Sequence, residues 1–146
     1  MLVRQTGHFP TTSPNRFVGV YSSQIDNLWP EVSSILEPAL YGSGFGLDDV
    51  LESLKSRDMQ LWVFSKEKIS MCVVTQIVNF PKKKTFCLLF VGGEDLNSCI
   101  DYADIFEKYA TDNKCDDIEA LGRPGFSKFS DYKKVKILFR KVLNGR

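Results

Sequence analysis

The side chains able to do chemistry are few, and their spacing excludes several reaction classes. The one histidine, His8, lies in a polar stretch broken by Pro10 and Pro14, so no Ser-His-acid or Cys-His arrangement can be built on it. The four cysteines, Cys72, Cys87, Cys99 and Cys115, are widely separated and contain no CxxC pair. With a single histidine they do not form a zinc-ligand set. Cys72 and Cys87 fall in strand-like runs, where a thiol serves as a small apolar group. Lys82-Lys83-Lys84 can touch phosphate, although the simpler reading is a hairpin tip kept solvated. In Gly122-Arg123-Pro124-Gly125, Pro124 suits a helix start and Arg123, preceding proline, is extended. Arg123 then reaches a cleft or, as the favoured reading, pairs with Asp116, Asp117 or Glu119.

The 146 residues are sufficient for one domain with a sizeable core, and 43% of them are hydrophobic. We expect residues 1–16 to form an irregular arm and residues 17–146 a single domain. Nineteen Lys and Arg against 18 Asp and Glu leave a net charge of +1, which makes no general case for nucleic acid. The charges are nevertheless segregated. Residues 94–119 hold nine acids and two lysines, and residues 123–146 hold eight bases and one acid, Asp131. The simplest source of this pattern is a helix with an acidic solvated face followed by a strand with outward bases. There is no signal-peptide pattern and no apolar run of membrane-spanning length, so a cytoplasmic protein with reduced thiols is expected.

Periodicity orders the elements that must position any site. After a short strand near Phe17–Val20, Ser22 and Ser23 can cap a helix whose Ile25, Leu28, Trp29, Val32, Ile35 and Leu36 share one face. Pro30 starts or kinks it. The glycine-rich 42–46 stretch connects to a second helix, with Leu47, Val50, Leu51 and Leu54 at helical spacing. Residues 59–64, 69–80 and 85–91 then read as an antiparallel meander separated by polar turns. Leu96, Ile100, Ala103, Phe106 and Ala110 form the apolar stripe of a helix that Asn113 and Lys114 close. A strand at 117–121, a short helix at 125–132 and a last strand at 135–143 complete the chain. The fold class is therefore α/β (α+β), a mostly antiparallel central sheet flanked by helices.

This order resembles that of the GCN5-related N-acetyltransferases. The run from Asp101 to Cys115 is similar to their long central helix. Asp117-Ile118-Glu119-Ala120-Leu121-Gly122-Arg123-Pro124-Gly125-Phe126 resembles a segment of small phage-encoded members, with Phe126 where tryptophan is usual. The likeness spans roughly residues 17–143 and is most distinctive from residue 90 onward.

The resemblance implies an acyl-CoA N-acyltransferase fold in which acetyl-CoA enters between the fourth and fifth strands. The pyrophosphate would rest on amides at the start of the central helix, which favours anions. The matching positions are Val91, Gly92, Gly93, Leu96 and Asn97, with Arg123 near the cleft. Glu94 and Asp95 stand where the family has a more basic, glycine-spaced loop. Tyr132 matches the tyrosine that protonates the leaving thiolate, and Glu119 on the fifth strand is the candidate general base. No metal is implied. Two readings follow. One is an N-acetyltransferase moving an acetyl group to an amine of a small molecule or protein. The other is a catalytically silent phage protein, in host cytoplasm or virion, that binds a host or virion protein. A homodimer through the last strand is compatible with either.

Overall fold

The computed structural model describes residues 16–94, 103–121 and 132–143. Within them, the apolar alternation of the strand-like runs forms a five-stranded sheet in the order β1-β2-β3-β4-β5. The strands are β1 (Arg16–Val20), β2 (Gln60–Ser65), β3 (Ile69–Asn79), β4 (Lys84–Gly93) and β5 (Asp117–Ala120). Neighbours from β1 to β4 pair antiparallel, whereas β4 and β5 run parallel. A parallel pair cannot be joined by a tight turn, and the connection here is a crossover containing helix α3 (Ala103–Asp112).

Helices α1 (Ile25–Leu36) and α2 (Leu47–Lys55) cover one face of the sheet, and α3 covers the other. Val32 and Leu36 of α1 and Val50 and Leu54 of α2 are buried with Leu61, Val63, Cys72 and Val74. Across the sheet, Phe106, Tyr109 and Ala110 of α3 meet Trp62, Phe64, Met71, Val73, Phe86 and Leu88. Strand residues therefore alternate between two cores, as a pleated sheet covered on both faces requires. Each fully buried Leu, Val or Phe contributes on the order of 1.5–3 kcal/mol. The α3 core is aromatic: Phe106 and Tyr109 stand edge-on to Trp62 at centroid distances of 5.1 and 5.2 Å.

That core also contains a polar chain. Trp62 Nε1 donates to Thr75 Oγ1 (2.9 Å), whose hydroxyl donates to Gln60 Oε1 (2.8 Å). Among the described residues, no buried side-chain donor or acceptor lacks a partner.

Several expectations change in detail. Ser22 and Ser23 do not cap α1; they belong to a 3-10 turn over Ser22–Gln24, and the N-cap position, Gln24, makes no side-chain cap bond. Ser22 Oγ instead accepts from Arg57 Nε at 3.4 Å. Helix α1 continues through Pro30, and a 3-10 turn over Glu37–Leu40 takes in Pro38. Asp49 Oδ2 accepts from the Gly46 amide (2.8 Å), tying off the start of α2. Helix α3 ends as expected at Asn113 and Lys114: Lys114 takes a left-handed φ of 62°, and the Cys115 amide returns to Ala110 O at 2.8 Å.

The expected last strand does not form. Residues 132–143 have no regular element, and Val135, Ile137, Leu138, Phe139, Val142 and Leu143 are exposed. Alternation makes a strand only where a backbone edge accepts it, and among the described residues β5 pairs with β4 alone. The short helix expected at 125–132, apart from Tyr132, and residues 1–15 of the arm lie outside the described residues; Arg16 already belongs to β1.

Candidate functional site

The site is created by an irregularity in β4. Pairing with β3 matches Thr75 with Leu88 and Val74 with Phe90, so Leu89 is an extra residue, a β-bulge. Its effect is visible in the side chains. Phe86 and Leu88 pack in the α3 core, but Leu89 and Phe90 pack in the α1–α2 core. The parallel pairing with β5 ends at the same place: Thr85–Leu88 are matched with Asp117–Ala120 and nothing further. Past the bulge, Phe90–Gly93 stay paired to β3 but have no strand partner on the β5 side among the described residues. Among the described residues, half of β4 thus has a main-chain edge without a strand partner, of the kind that could offer donors and acceptors to an extended ligand.

Val91 lies in this half of β4, opposite Val73 in register, and is 39% exposed between the buried Phe90 and Gly92. The two glycines beside it are there for packing. A Cβ on Gly92 would lie 2.5 Å from Ile35 O of α1. Gly93 has φ +101°, and a Cβ there would lie 2.3 Å from Ser70 O. Close approach to α1 and β3, rather than to a ligand, is what requires glycine at these positions. The Glu94 amide is also engaged, donating to Ser70 O at 3.1 Å. Leu96, Asn97 and Arg123 lie outside the described residues.

At the other end of the β4–β5 pair, charges clamp the strands together. Lys83 Nζ donates to Asp117 Oδ2 (2.8 Å) and Glu119 Oε2 (3.3 Å), and Thr85 Oγ1 donates to Asp117 Oδ1 (2.7 Å). The Lys84 amide donates to Asp116 Oδ2 at 2.9 Å, and the Asp116 amide donates to Lys84 O at 2.7 Å. The hydrogen bond from Lys83, with that from Thr85, holds the Asp117 carboxyl below its usual range. The same bond to Asp117 holds the Lys83 ammonium above its own.

The candidate base Glu119 is therefore engaged by Lys83, which draws its carboxylate toward the start of β4. Asp116, Asp117 and Glu119, the partners foreseen for Arg123, have contacts from the Lys84 amide and from Lys83, and Arg123 itself lies outside the described residues. The second catalytic candidate, Tyr132, is half-buried at the head of an otherwise exposed segment. The structure brings Val91, Gly92 and Gly93 to one edge and places Glu119 in a separate charge cluster.

Two features escaped sequence reasoning. Phe45, in the stretch read as a flexible connection, is edge-on to Phe90 at 5.5 Å, so an aromatic wall adjoins the open half of β4. The bulge is the other. The run Phe86, Leu88, Phe90 hides it, because simple alternation would place all three on one face. Among the described residues the thiols offer no activated nucleophile: burial pushes Cys72 up to about 12, and burial first, with nearby carboxylates, raises Cys87 and Cys115. Among the described residues no cluster could hold a metal ion, and no helix is long and apolar enough to cross a membrane.

No family model matches the chain, and no curated protein matches it. Solved structures do. An aminoglycoside acetyltransferase, meta-AAC0020, from an uncultured soil metagenomic sample matches with a TM-score of 0.68 at 7% identity, over 89% of this chain and 97% of that one. A predicted acetyltransferase with acetyl-CoA from Clostridium acetobutylicum matches at 0.65 and 12% identity, over 90% and 98%. The aminoglycoside N-acetyltransferase AAC(6')-Iy in complex with CoA matches at 0.62 and 12% identity, over 97% and 99%. The mixed sheet, the parallel β4–β5 pair and these likenesses agree: the chain has the fold of the GCN5-related N-acetyltransferases.

Proposed function

We propose that the chain is an N-acetyltransferase that binds acetyl-CoA along the open edge of β4 and passes the acetyl group to an amine. The observation that carries this reading is the coincidence of three events at one point: the bulge at Leu89, the end of β4–β5 pairing after Leu88, and the exposure of Val91. An unpaired strand edge suits an extended ligand bearing amides, such as the pantetheine arm of CoA. Two proteins of the same fold were solved with acetyl-CoA or CoA.

In this reading acetyl-CoA supplies the acetyl group as a thioester. The main chain of Leu89–Gly93 orients it, and Val91 gives apolar contact. Leu96, Asn97 and Arg123 complete the binding set. Tyr132 donates the proton that the departing thiolate takes up. Glu119 is the remaining candidate for receiving the amine proton; its contact with Lys83 makes a role in holding β4 to β5 the better assignment. The acceptor is an amine on a small molecule or a protein, and the setting is cytoplasmic. The competing reading, a phage-encoded binding protein without chemistry, draws on Glu94, an exposed carboxylate at the end of the same edge.

Calorimetry with acetyl-CoA separates the two. The proposal expects saturable binding, and no heat at millimolar acetyl-CoA overturns it. With binding established, Tyr132→Phe should lower turnover far more than affinity. An unchanged turnover removes Tyr132 from its role.

A further inference from the structure

The residues from Lys133 to Leu143 are all exposed and form no regular element, yet more than half of them are large and apolar. Phe139 is 86% exposed, and Val135, Ile137, Leu138, Val142 and Leu143 are each at least 63% exposed. The others, Lys133, Lys134, Lys136, Arg140 and Lys141, are all bases, and no acid interrupts them. Two-residue alternation sorts these side chains poorly, because it puts Lys141 in the apolar row and Leu138 and Val142 among the bases. Helical spacing sorts them well. Val135, Leu138, Phe139, Val142 and Leu143 stand at i, i+3, i+4, i+7 and i+8, a single apolar stripe. All the bases fall on the remaining surface, with Ile137 the one apolar side chain among them. So short a helix does not hold in water by itself, which fits the irregular backbone seen here.

We propose that residues 133–143 bind an anionic lipid surface by folding into an amphipathic helix that lies in the plane of the headgroups. The apolar stripe enters the edge of the acyl region, and the bases meet lipid phosphates and carboxylates. Charge complementarity and apolar exposure together select this occupant. A nucleic acid would meet the bases but leave the apolar stripe in water, and a neutral bilayer would take the stripe without using the bases. The same segment of a second copy would oppose like charges. The helix lies on the surface and does not span it. Tyr132, at its head, is half-buried, so the segment leaves the domain at a fixed point and the sheet need not rearrange.

The full chain should sediment with vesicles of phosphatidylserine and phosphatidylcholine in equal parts, stay in solution with phosphatidylcholine alone, and detach as salt is raised. No sedimentation with the mixed vesicles, or equal sedimentation with both, overturns the proposal. Leu138→Gln and Phe139→Gln should each weaken vesicle binding about tenfold, whereas Ile137→Gln should leave it nearly unchanged. A strand would make Ile137 and Phe139 equivalent, so equal losses at these two positions contradict the helix. Lys136→Gln with Arg140→Gln should weaken binding by about tenfold or more, and undiminished binding contradicts the role of charge. All these side chains are exposed, so the fold tolerates their replacement. Amides of residues 135–143 should exchange fast in the free chain and slowly on the mixed vesicles. Slow exchange in the free chain would show the segment already paired as a strand and would overturn the proposal. Retention on single-stranded RNA without vesicle binding would assign the bases to nucleic acid and would overturn it too. Acetyl-CoA calorimetry on the same variants is read separately, so loss of lipid binding and loss of the proposed activity are distinguishable.

Discussion

Single residues explain why this chain can make the close approaches its fold needs. Gly92 admits the carbonyl of Ile35, and a methyl group there must push α1 off β4. Gly92→Ala should cost about 1–3 kcal/mol, measured by denaturant unfolding, as overpacking does in a filled core. Thr75 receives the indole N–H of Trp62 and donates to Gln60, so Thr75→Val leaves both groups buried and unpaired. A loss of roughly 1–3 kcal/mol per stranded group is expected, and a near-neutral result would mean that the chain of hydrogen bonds is not needed. Cys72, raised to about 12 by burial, should resist alkylation at pH 8 in the native protein and react only on unfolding, as read by peptide mass spectrometry.

At the scale of elements, the β4–β5 pair is held by charge at one end and released by a bulge at the other. Asp117 is depressed, so its contribution is complete above the unfolded carboxyl value and disappears as pH falls through the folded one. Lys83 is raised, so its share is present below the ordinary lysine range and is lost as pH climbs through the higher folded value. Both groups are solvated, so Lys83→Met should lower stability only slightly, and the loss should vanish in high salt. Salt-insensitive loss would show that the clamp works through packing.

Element order was legible because each periodic run is long. The meander of 59–91 and the stripe ending at Ala110 leave little choice of element type, and the observed strands differ from the expected limits by one or two residues. The last strand was misread for a physical reason: Val135–Leu143 has strand alternation, but alternation cannot say whether an edge is present to receive it. The site was only partly legible. Val91 and the glycines could be placed on one strand end, while the bulge at Leu89 and the contact of Phe45 with Phe90 depend on register and long-range packing. Lys83 was read as a solvated hairpin tip, since nothing in 82–84 reports that Asp117 and Glu119 lie beside it.

In the whole molecule, two cores fix a sheet whose fourth strand is covered on both faces and, among the described residues, lacks a strand partner along half of one edge. Trp62, Phe106 and Val32 are buried in these cores, and the proposed acetyl-CoA edge lies apart from them between Leu89 and Gly93. The likeness of fold to solved acetyltransferases persists at sequence identities of 7–12%, because strand order and register do not depend on particular side chains. The most direct test follows backbone amide NMR signals during titration with acetyl-CoA. The account predicts saturable shifts centred on residues 88–94 and 118–121, with the hairpin at Lys82–Lys84 unaffected. No shifts at millimolar acetyl-CoA, or shifts confined to the lysine hairpin, would contradict it.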